Sequence, residues 1–143
     1  MKHEFSCGAV LYREIDGEIA YVLIADKTKK YGFPKGHRKK RETEVQTALR
    51  EIKEETGVDA RIDEGFRTET RYTIRGQIIK HVTYFVASYE TGELHFPADE
   101  LIDIRSLPFD EAIELLSYPN LKEILANADA YIREKAVAQK VLK

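Results

Sequence analysis

The stretch that decides the fold is GHRKKRETEVQTALREIKEETGV, residues Gly36 to Val58. Thr43, with Gln46 three residues later, predicts a capping box at a helix N-terminus. Gly57 predicts a left-handed cap at the C-terminus of the same helix. The sequence therefore predicts a short helix from Thr43 to Thr56. The side of this helix that faces the core is predicted to carry Val45, Ala48, Leu49 and Ile52.

The acidic side chains of this helix gather on one edge. Glu51 and Glu55 are i, i+4 neighbours, Glu54 is three residues from Glu51, and Glu44 comes round to the same side two turns earlier. Like charges at this spacing repel one another, and a bound cation removes the repulsion. Carboxylate oxygens are the ligands that Mg²⁺ prefers. Taken alone, these glutamates favour an ordinary solvated helix face, and a magnesium site is the alternative.

The spacing of the whole stretch resembles that of a known family. Five residues separate Gly36 from Glu42, and seven separate Glu42 from the run Arg50 to Val58. This is similar to the signature of the Nudix hydrolases, G-x5-E-x7-R-E-U-x-E-E-x-G-U with U aliphatic, and every specified position is filled. The resemblance implies an α/β (α+β) fold, an α/β/α sandwich with a mixed central sheet and a loop-helix-loop motif. One domain over residues 1–143 is expected.

The resemblance also implies metal ligands and a reaction. Glu51, Glu54 and Glu55 would bind Mg²⁺ directly or through water, with Mn²⁺ as a substitute, and the Gly36 carbonyl would add a ligand. Metal ions at such a site neutralise phosphate charge and position or deprotonate the attacking water. The predicted reaction is hydrolysis of a phosphoanhydride bond.

Three further residues receive roles from the resemblance. Arg50 and Glu42 would hold the acidic helix and the preceding loop in place through ion pairs. Family members differ over which glutamate is the general base, and some use one on a later loop. Glu100, just before the predicted strand Leu101 to Leu107, is the candidate for that later base and metal ligand. The alternative for Glu100 is a surface carboxylate.

The sequence around the signature is similar to that of the diadenosine tetraphosphate hydrolases. The similar stretches are Phe5 to Tyr12 (FSCGAVLY), Phe33 to His37 (FPKGH) and Asp110-Glu111-Ala112. The resemblance implies asymmetric cleavage of diadenosine tetraphosphate to ATP and AMP. The residues predicted to bind this substrate are Lys35, His37, Lys80 and Tyr84 near the phosphates, and Tyr31, Tyr72 and Tyr118 as stacking platforms for adenine.

One segment departs from the family pattern. Many relatives carry an acidic residue and then Pro-Gly after the position of His37, whereas this chain has Arg38-Lys39-Lys40-Arg41. The change leaves the carboxylates untouched and makes the loop basic. It therefore opens alternative substrates, namely a 5′-triphosphate RNA end, an inositol pyrophosphate or a nucleoside triphosphate. A non-catalytic ligand-binding regulator is a further alternative, although such domains typically lack signature carboxylates.

Composition narrows the partners and the compartment. The net charge of −2 argues against general affinity for nucleic acid or membranes, so the expected partner is a small nucleoside polyphosphate. The lone Cys7 excludes an internal disulfide and is predicted to be buried. No apolar run is long enough to cross a bilayer, and a cytoplasmic location is expected. The sequence is compatible with both a monomer and a dimer.

The rest of the chain predicts strands followed by two helices. Strands are expected at Phe5–Tyr12 and Ile19–Ala25 with a turn at Asp16-Gly17, at Ala60–Arg75 and Gln77–Glu90 with a hairpin near Gly76, and at Leu101–Leu107. A short helix is expected from Phe109 to Leu116. A second helix, capped by Asn120 with Glu123, is expected to run to about Leu142. Its apolar face carries Leu121, Ile124, Leu125, Ala128 and Ile132.

Overall fold

The structure, a computed structural model, describes residues 2–141, which form seven strands and three helices. The strands are β1 (Lys2–Ile15), β2 (Glu18–Asp26), β3 (Tyr31–Gly32), β4 (Lys35–His37), β5 (Arg61–Ile74), β6 (Ile78–Ser88) and β7 (Leu101–Pro108). The helices are α1 (Glu44–Thr56), α2 (Phe109–Leu115) and α3 (Pro119–Val141). The predicted elements are thus present, with ends that differ by a few residues.

The strands form one mixed sheet with β1 at its centre. The order is β3-β2-β1-β6-β5, with β4 paired to β1 and β7 paired to β2. β1 and β6 run parallel, and the other pairs are antiparallel. Along one edge, β1 changes partner, because Ser6–Gly8 pair with β4 and Leu11–Ile15 pair with β2. This change of partner places β4, which contains Gly36, against the centre of the sheet.

Helices cover both faces of the sheet. On one face, Cys7, Ala9 and Leu11 of β1 pack with Ala48 and Ile52 of α1. On the other face, α2 and α3 cover a second core that includes the predicted apolar side of α3, namely Leu121, Ile124, Leu125, Ala128 and Ile132. Alternation along the strands supplies apolar side chains to both cores. The predicted α/β/α sandwich and the predicted burial of Cys7 are confirmed.

Both predicted hairpin turns are confirmed, and each uses two consecutive residues with positive φ. Asp16 and Gly17 have φ values of 53° and 81°, and Arg75 and Gly76 have φ values of 52° and 68°. Two positive φ values at the centre of a short hairpin match the twist of the flanking strands. Within residues 2–141, no helix combines the length and apolar composition needed to cross a membrane.

The predicted ends of α1 are also confirmed. Thr43 accepts a hydrogen bond from Gln46 N at 3.1 Å, and the Gln46 side chain accepts one from Thr43 N at 2.9 Å. Gly57 closes the helix with a φ of 82°. The prediction that Leu49 faces the core is wrong, since Leu49 is only partly buried. Thr47 is buried instead, and its hydroxyl is satisfied by donating to Glu42 Oε1 at 3.0 Å.

The predicted cap of α3 is wrong. The helix begins at Pro119, and the Tyr118 carbonyl accepts hydrogen bonds from Leu121 N at 3.1 Å and Lys122 N at 3.2 Å. Proline suits the first helical position because it has no N–H to leave unpaired and its φ is already helical. Asn120 therefore lies inside the first turn, where it donates to Thr70 Oγ1 at 3.4 Å. The predicted end at Leu142 lies outside the described residues.

Gly57→Ala is expected to destabilise the protein more than Gly17→Ala. Both glycines have a left-handed backbone, which costs an alanine about 1 kcal/mol. A Cβ at Gly57 would also overlap the His95 ring, whereas a Cβ at Gly17 meets nothing within 4 Å. We expect losses of about 3 and about 1 kcal/mol, respectively, in the free energy of unfolding by urea. Equal losses of unfolding free energy in the two variants would show that the His95 ring moves aside without destabilising the protein.

Candidate active site

The last two turns of α1 carry the predicted glutamates to the edge of β4. Glu51 is largely buried, Glu55 is 7% exposed, and Glu54 is exposed. Glu55 Oε1 accepts a hydrogen bond from the Lys35 backbone N–H at 2.9 Å, which ties the helix to β4. The helix therefore buries one of its carboxyl groups instead of presenting all of them to water.

Gly36 lies directly against the Glu51 carboxylate. A Cβ built on Gly36 would overlap the carboxylate carbon and both of its oxygens, so the contact requires the absence of a side chain. Gly36 is held in register by pairing with Cys7 of β1. A similar close approach occurs at Gly8, where a Cβ would overlap the Pro34 carbonyl oxygen. Two glycines thus allow β1, β4 and α1 to meet at backbone distance.

Glu55 and Glu51 form a pair of carboxyl groups that repel each other when both are charged. Burial, followed by the nearby charge of Glu51, raises the pKa of Glu55 from 4.5 to about 8. The Lys35 N–H opposes part of this shift because it hydrogen-bonds the charged form. Near neutral pH the pair therefore favours a single negative charge, which is the behaviour expected of a site shaped for a cation.

Arg50 connects the helix to the loop that precedes it. Its guanidinium donates to Glu42 Oε2 at 2.7 Å and Oε1 at 2.9 Å, to the His37 carbonyl at 2.9 Å, and to Glu51 Oε1 at 2.8 Å. The hydrogen bonds from Arg50 are the largest cause holding the pKa of Glu42 down to about 2. The contact with Glu51 also fixes one oxygen of the carboxyl pair. A bidentate, partly buried arginine of this kind is a rigid connector.

Two other glutamates of α1 are bound by arginines. Glu54 Oε1 accepts a hydrogen bond from Arg50 at 3.2 Å. Glu44, predicted on the same edge, is bound instead by Arg67 of β5 at 2.8 and 3.0 Å. Within residues 2–141, no group of three or more His, Cys, Asp or Glu side chains is arranged to hold a metal ion. The carboxyl pair of Glu51 and Glu55 is therefore the nucleus of the candidate site.

A small cavity opens beside this pair on the face covered by α3. Its volume is about 150 Å³, and we call it the tyrosine pocket. Its lining includes Lys35, Glu55 and three of the predicted tyrosines, Tyr31, Tyr84 and Tyr118. Burial, followed by the nearby charge of Lys80, lowers the pKa of Lys35. The pocket thus combines aromatic surface, a partly buried cation and a buried carboxyl group.

The tyrosines differ in how free their rings are. Tyr84 is 2% exposed and packs edge-on against Phe33, with ring centroids 5.5 Å apart. Tyr31 donates its hydroxyl to Asp103, which holds the ring in place. Tyr72 and Tyr118 are 43% and 47% exposed, so these two rings keep open surface.

Lys80 and His37 are brought together beside the pocket. Lys80 Nζ lies 3.3 Å from His37 Nε2 and 3.6 Å from Glu4 Oε1. Tyr72 lies on β5 directly opposite Lys80. Sequence reasoning missed Glu4, because the parallel pairing of β1 with β6 that sets Glu4 opposite Lys80 leaves no local signal.

Glu100 is not among the residues that line the tyrosine pocket. It is exposed in the turn before β7, and its neighbour Leu101 pairs with Asp26 and lines the tyrosine pocket. Asp26 also lines the pocket and was missed, although its position just after the predicted strand Ile19–Ala25 was a usable signal. Its Oδ1 accepts hydrogen bonds from the backbone of Thr28 at 2.8 Å and of Lys30 at 3.3 Å, so it shapes the loop.

Known proteins match this chain both in sequence and in fold. The family model described as NUDIX domain matches residues 2–128. The asymmetrical bis(5′-nucleosyl)-tetraphosphatase of Mus musculus is 31% identical over 139 residues, which cover 89% of this chain and 94% of the relative. The crystal structure of a C. elegans Ap4A hydrolase binary complex matches with a TM-score of 0.84 at 25% identity, over 92% of this chain and 98% of that one.

The same fold also occurs in a solved structure of lower sequence identity. The NUDIX domain of Shewanella oneidensis NrtR, crystallised with ADP ribose, matches with a TM-score of 0.77. The match covers 92% of this chain and 90% of that one, but the identity is 15%. This likeness shows a shared fold alone.

Glu55→Gln is expected to flatten the pH dependence of stability in metal-free buffer. The raised pKa of Glu55 means that the folded state binds more protons than the unfolded state between about pH 4.5 and 8. The stability of the wild type therefore falls as pH rises through that window, by at most about 1.4 kcal/mol per pH unit. A neutral glutamine removes this loss.

Thermal unfolding at about pH 5 and about pH 9 measures the effect. Glu123→Gln, which changes an exposed glutamate of α3, serves as the control and should keep the wild-type slope. A wild-type slope in the Glu55→Gln protein would rule out the proposed burial of that charge.

Proposed function

The chain belongs to the Nudix family, and on that premise we propose that it hydrolyses a phosphoanhydride bond of a nucleoside polyphosphate. The proposed substrate is diadenosine tetraphosphate, cleaved asymmetrically to ATP and AMP. The observation that carries the proposal is the position of Glu55, which is both a member of the carboxyl pair and a wall of the tyrosine pocket. The identity of 31% to the mouse asymmetrical enzyme, over 89% of this chain, supports the choice of substrate.

The residues at the carboxyl pair fit Mg²⁺, with Mn²⁺ as a substitute. Oxygen donors are the preferred ligands of these ions. Burial, followed by the charge of Glu51, raises the pKa of Glu55, and a bound cation would stabilise the charged form against both effects. Gly36 leaves room that a Cβ would fill. We assign Glu51 and Glu55 as ligands, with Glu54 added once it leaves Arg50 and with the Gly36 carbonyl as a further oxygen. When bound, the ion would neutralise phosphate charge and acidify a water molecule.

Arg50 acts as a positioning residue in this proposal. It donates two hydrogen bonds to Glu42 and one to Glu51 Oε1. These bonds fix the loop and one oxygen of the carboxylate that lies against Gly36. Among the candidate bases, Glu100 is exposed and does not line the tyrosine pocket. Glu55 both lines this pocket, where the substrate would bind, and belongs to the carboxyl pair, where the ion would bind. We therefore assign Glu55 as the group that accepts the proton of the attacking water.

Cations beside the carboxyl pair would bind the phosphates. Lys35 is partly buried, and its pKa is lowered by burial and by the neighbouring Lys80, so an anion between these lysines would be stabilised by both. His37 lies within 3.3 Å of Lys80 and extends the same side. These groups would orient the phosphate chain, while the carboxyl pair and its ion act on the scissile bond.

The open rings suit one adenine. Tyr72 and Tyr118 keep free aromatic surface, and stacking on such a ring accepts a purine through its π face. Tyr31 and Tyr84 are held by Asp103 and Phe33, respectively, so we assign them to shaping the pocket. This assignment separates the predicted tyrosines into two stacking residues and two structural ones.

Incubation of the purified protein with diadenosine tetraphosphate and Mg²⁺ is expected to yield ATP and AMP in equal amounts. Chromatography of the products over time measures this. The Glu54→Gln protein, made in the same way, should fold normally and lose turnover by orders of magnitude, which excludes a contaminating phosphatase. Release of ADP alone, or no turnover, would reject the proposed substrate. Faster turnover of a 5′-triphosphate RNA, an inositol pyrophosphate or a nucleoside triphosphate would replace it.

A further inference from the structure

We propose that Phe5 and the basic loop, defined as Arg38 to Arg41, form a second nucleotide subsite. This subsite would hold the half of a dinucleoside polyphosphate that lies outside the tyrosine pocket. The inference rests on the proposed function and adds to it a preference for substrates with a base at both ends.

Phe5 is an aromatic platform with one face covered. It is 54% exposed, although its ring stacks on His81 with centroids 4.6 Å apart and planes tilted by 14°. His81 in turn stacks on His3 at 5.1 Å. An open ring backed by a stack of this kind can accept a purine base without rearrangement. A base stacked on this ring would also remove apolar surface from water, which favours binding.

The basic loop supplies unpaired positive charge next to this ring. The side chains of Arg38, Lys39, Lys40 and Arg41 are exposed, and across residues 2–141 none of the four forms an ion pair. Glu42, the nearest carboxylate in sequence, is already held by Arg50. Together with Phe5, these four residues line a surface hollow of about 280 Å³. The hollow therefore combines a base platform with the charge that a phosphate chain requires.

The subsite begins two residues along the chain from Gly36, which contacts the carboxyl pair. The Arg38 N–H donates to the Phe5 carbonyl at 3.0 Å, which fixes the start of the basic loop beside the ring. Gly36 precedes Arg38 by two residues on an extended path, a distance of about 7 Å. Phe5 also lies two residues from Cys7, on the face of β1 that α1 covers. A triphosphate that starts near Gly36 can thus reach the loop and leave its base at Phe5.

The backbone at Arg41 makes this residue suitable for a test of the loop's charge. Arg41 has a φ of 75°, a conformation that favours glycine and strains other residues. A glycine would therefore adopt this conformation more easily than arginine does. This makes Arg41→Gly an unusually clean test, since it should weaken binding without weakening the fold.

Binding of two ligands in the inactive Glu54→Gln background tests the base platform. Diadenosine tetraphosphate and adenosine 5′-tetraphosphate carry the same number of phosphates but two bases and one base, respectively. In calorimetric titrations, we expect the two-base ligand to bind about tenfold more tightly, and Phe5→Ala to abolish that difference. Ile15→Ala, which removes an equally exposed side chain at the far end of β1, should preserve it.

Arg41→Gly in the same background tests the charge. It should weaken both ligands by a similar factor, about fivefold at low salt, and leave the unfolding temperature unchanged or higher. Arg75→Gly, another arginine with positive φ, should leave both affinities unchanged. Equal affinity for the two ligands in the parent, or a difference that survives Phe5→Ala, would overturn the subsite. Turnover is not needed for this readout, so a failed product assay with an intact binding difference would reject the proposed reaction alone.

Discussion

Two carboxyl groups, Glu51 and Glu55, are held closer together than two negative charges tolerate. Glu55 is fixed by the Lys35 N–H, and Glu51 is fixed between Arg50 and Gly36. Neither can turn away, and burial, followed by the charge of Glu51, raises the pKa of Glu55 to about 8. Near neutral pH the unbound protein therefore keeps a proton on Glu55, and a divalent cation must displace that proton to bind both carboxylates.

The topology of the sheet is what makes this arrangement possible. β1 pairs with β2 over Leu11–Ile15 and with β4 over Ser6–Gly8. Gly8 and Gly36 then let two backbones and a carboxylate approach without side chains between them. The tyrosine pocket includes Tyr84 and Leu121 of the core under α3, whereas Phe5 of the other hollow lies two residues from Cys7 of the core under α1.

Features set by local chemistry could be predicted from the sequence. Capping by Thr43 and Gly57 and the turn at Asp16-Gly17 depend on neighbouring residues, and all three are confirmed. One error arose where a distant element decides the outcome, because Glu44 is bound by Arg67 from β5. The error at α3 was local, because Pro119, next to the predicted cap Asn120, suits the first helical position. The Phe5 platform depends on the parallel register of β1 with β6, which no local pattern announces.

Proton release on Mg²⁺ binding tests the central claim most directly. If Glu55 shares a site with Glu51, a cation must displace the proton that burial retains there. Calorimetric titration with Mg²⁺ at about pH 7, in buffers of different ionisation enthalpy, gives the number of protons released. The account predicts close to one proton per bound ion in the wild type and none in Glu55→Gln. Binding of Mg²⁺ without proton release in the wild type would contradict it.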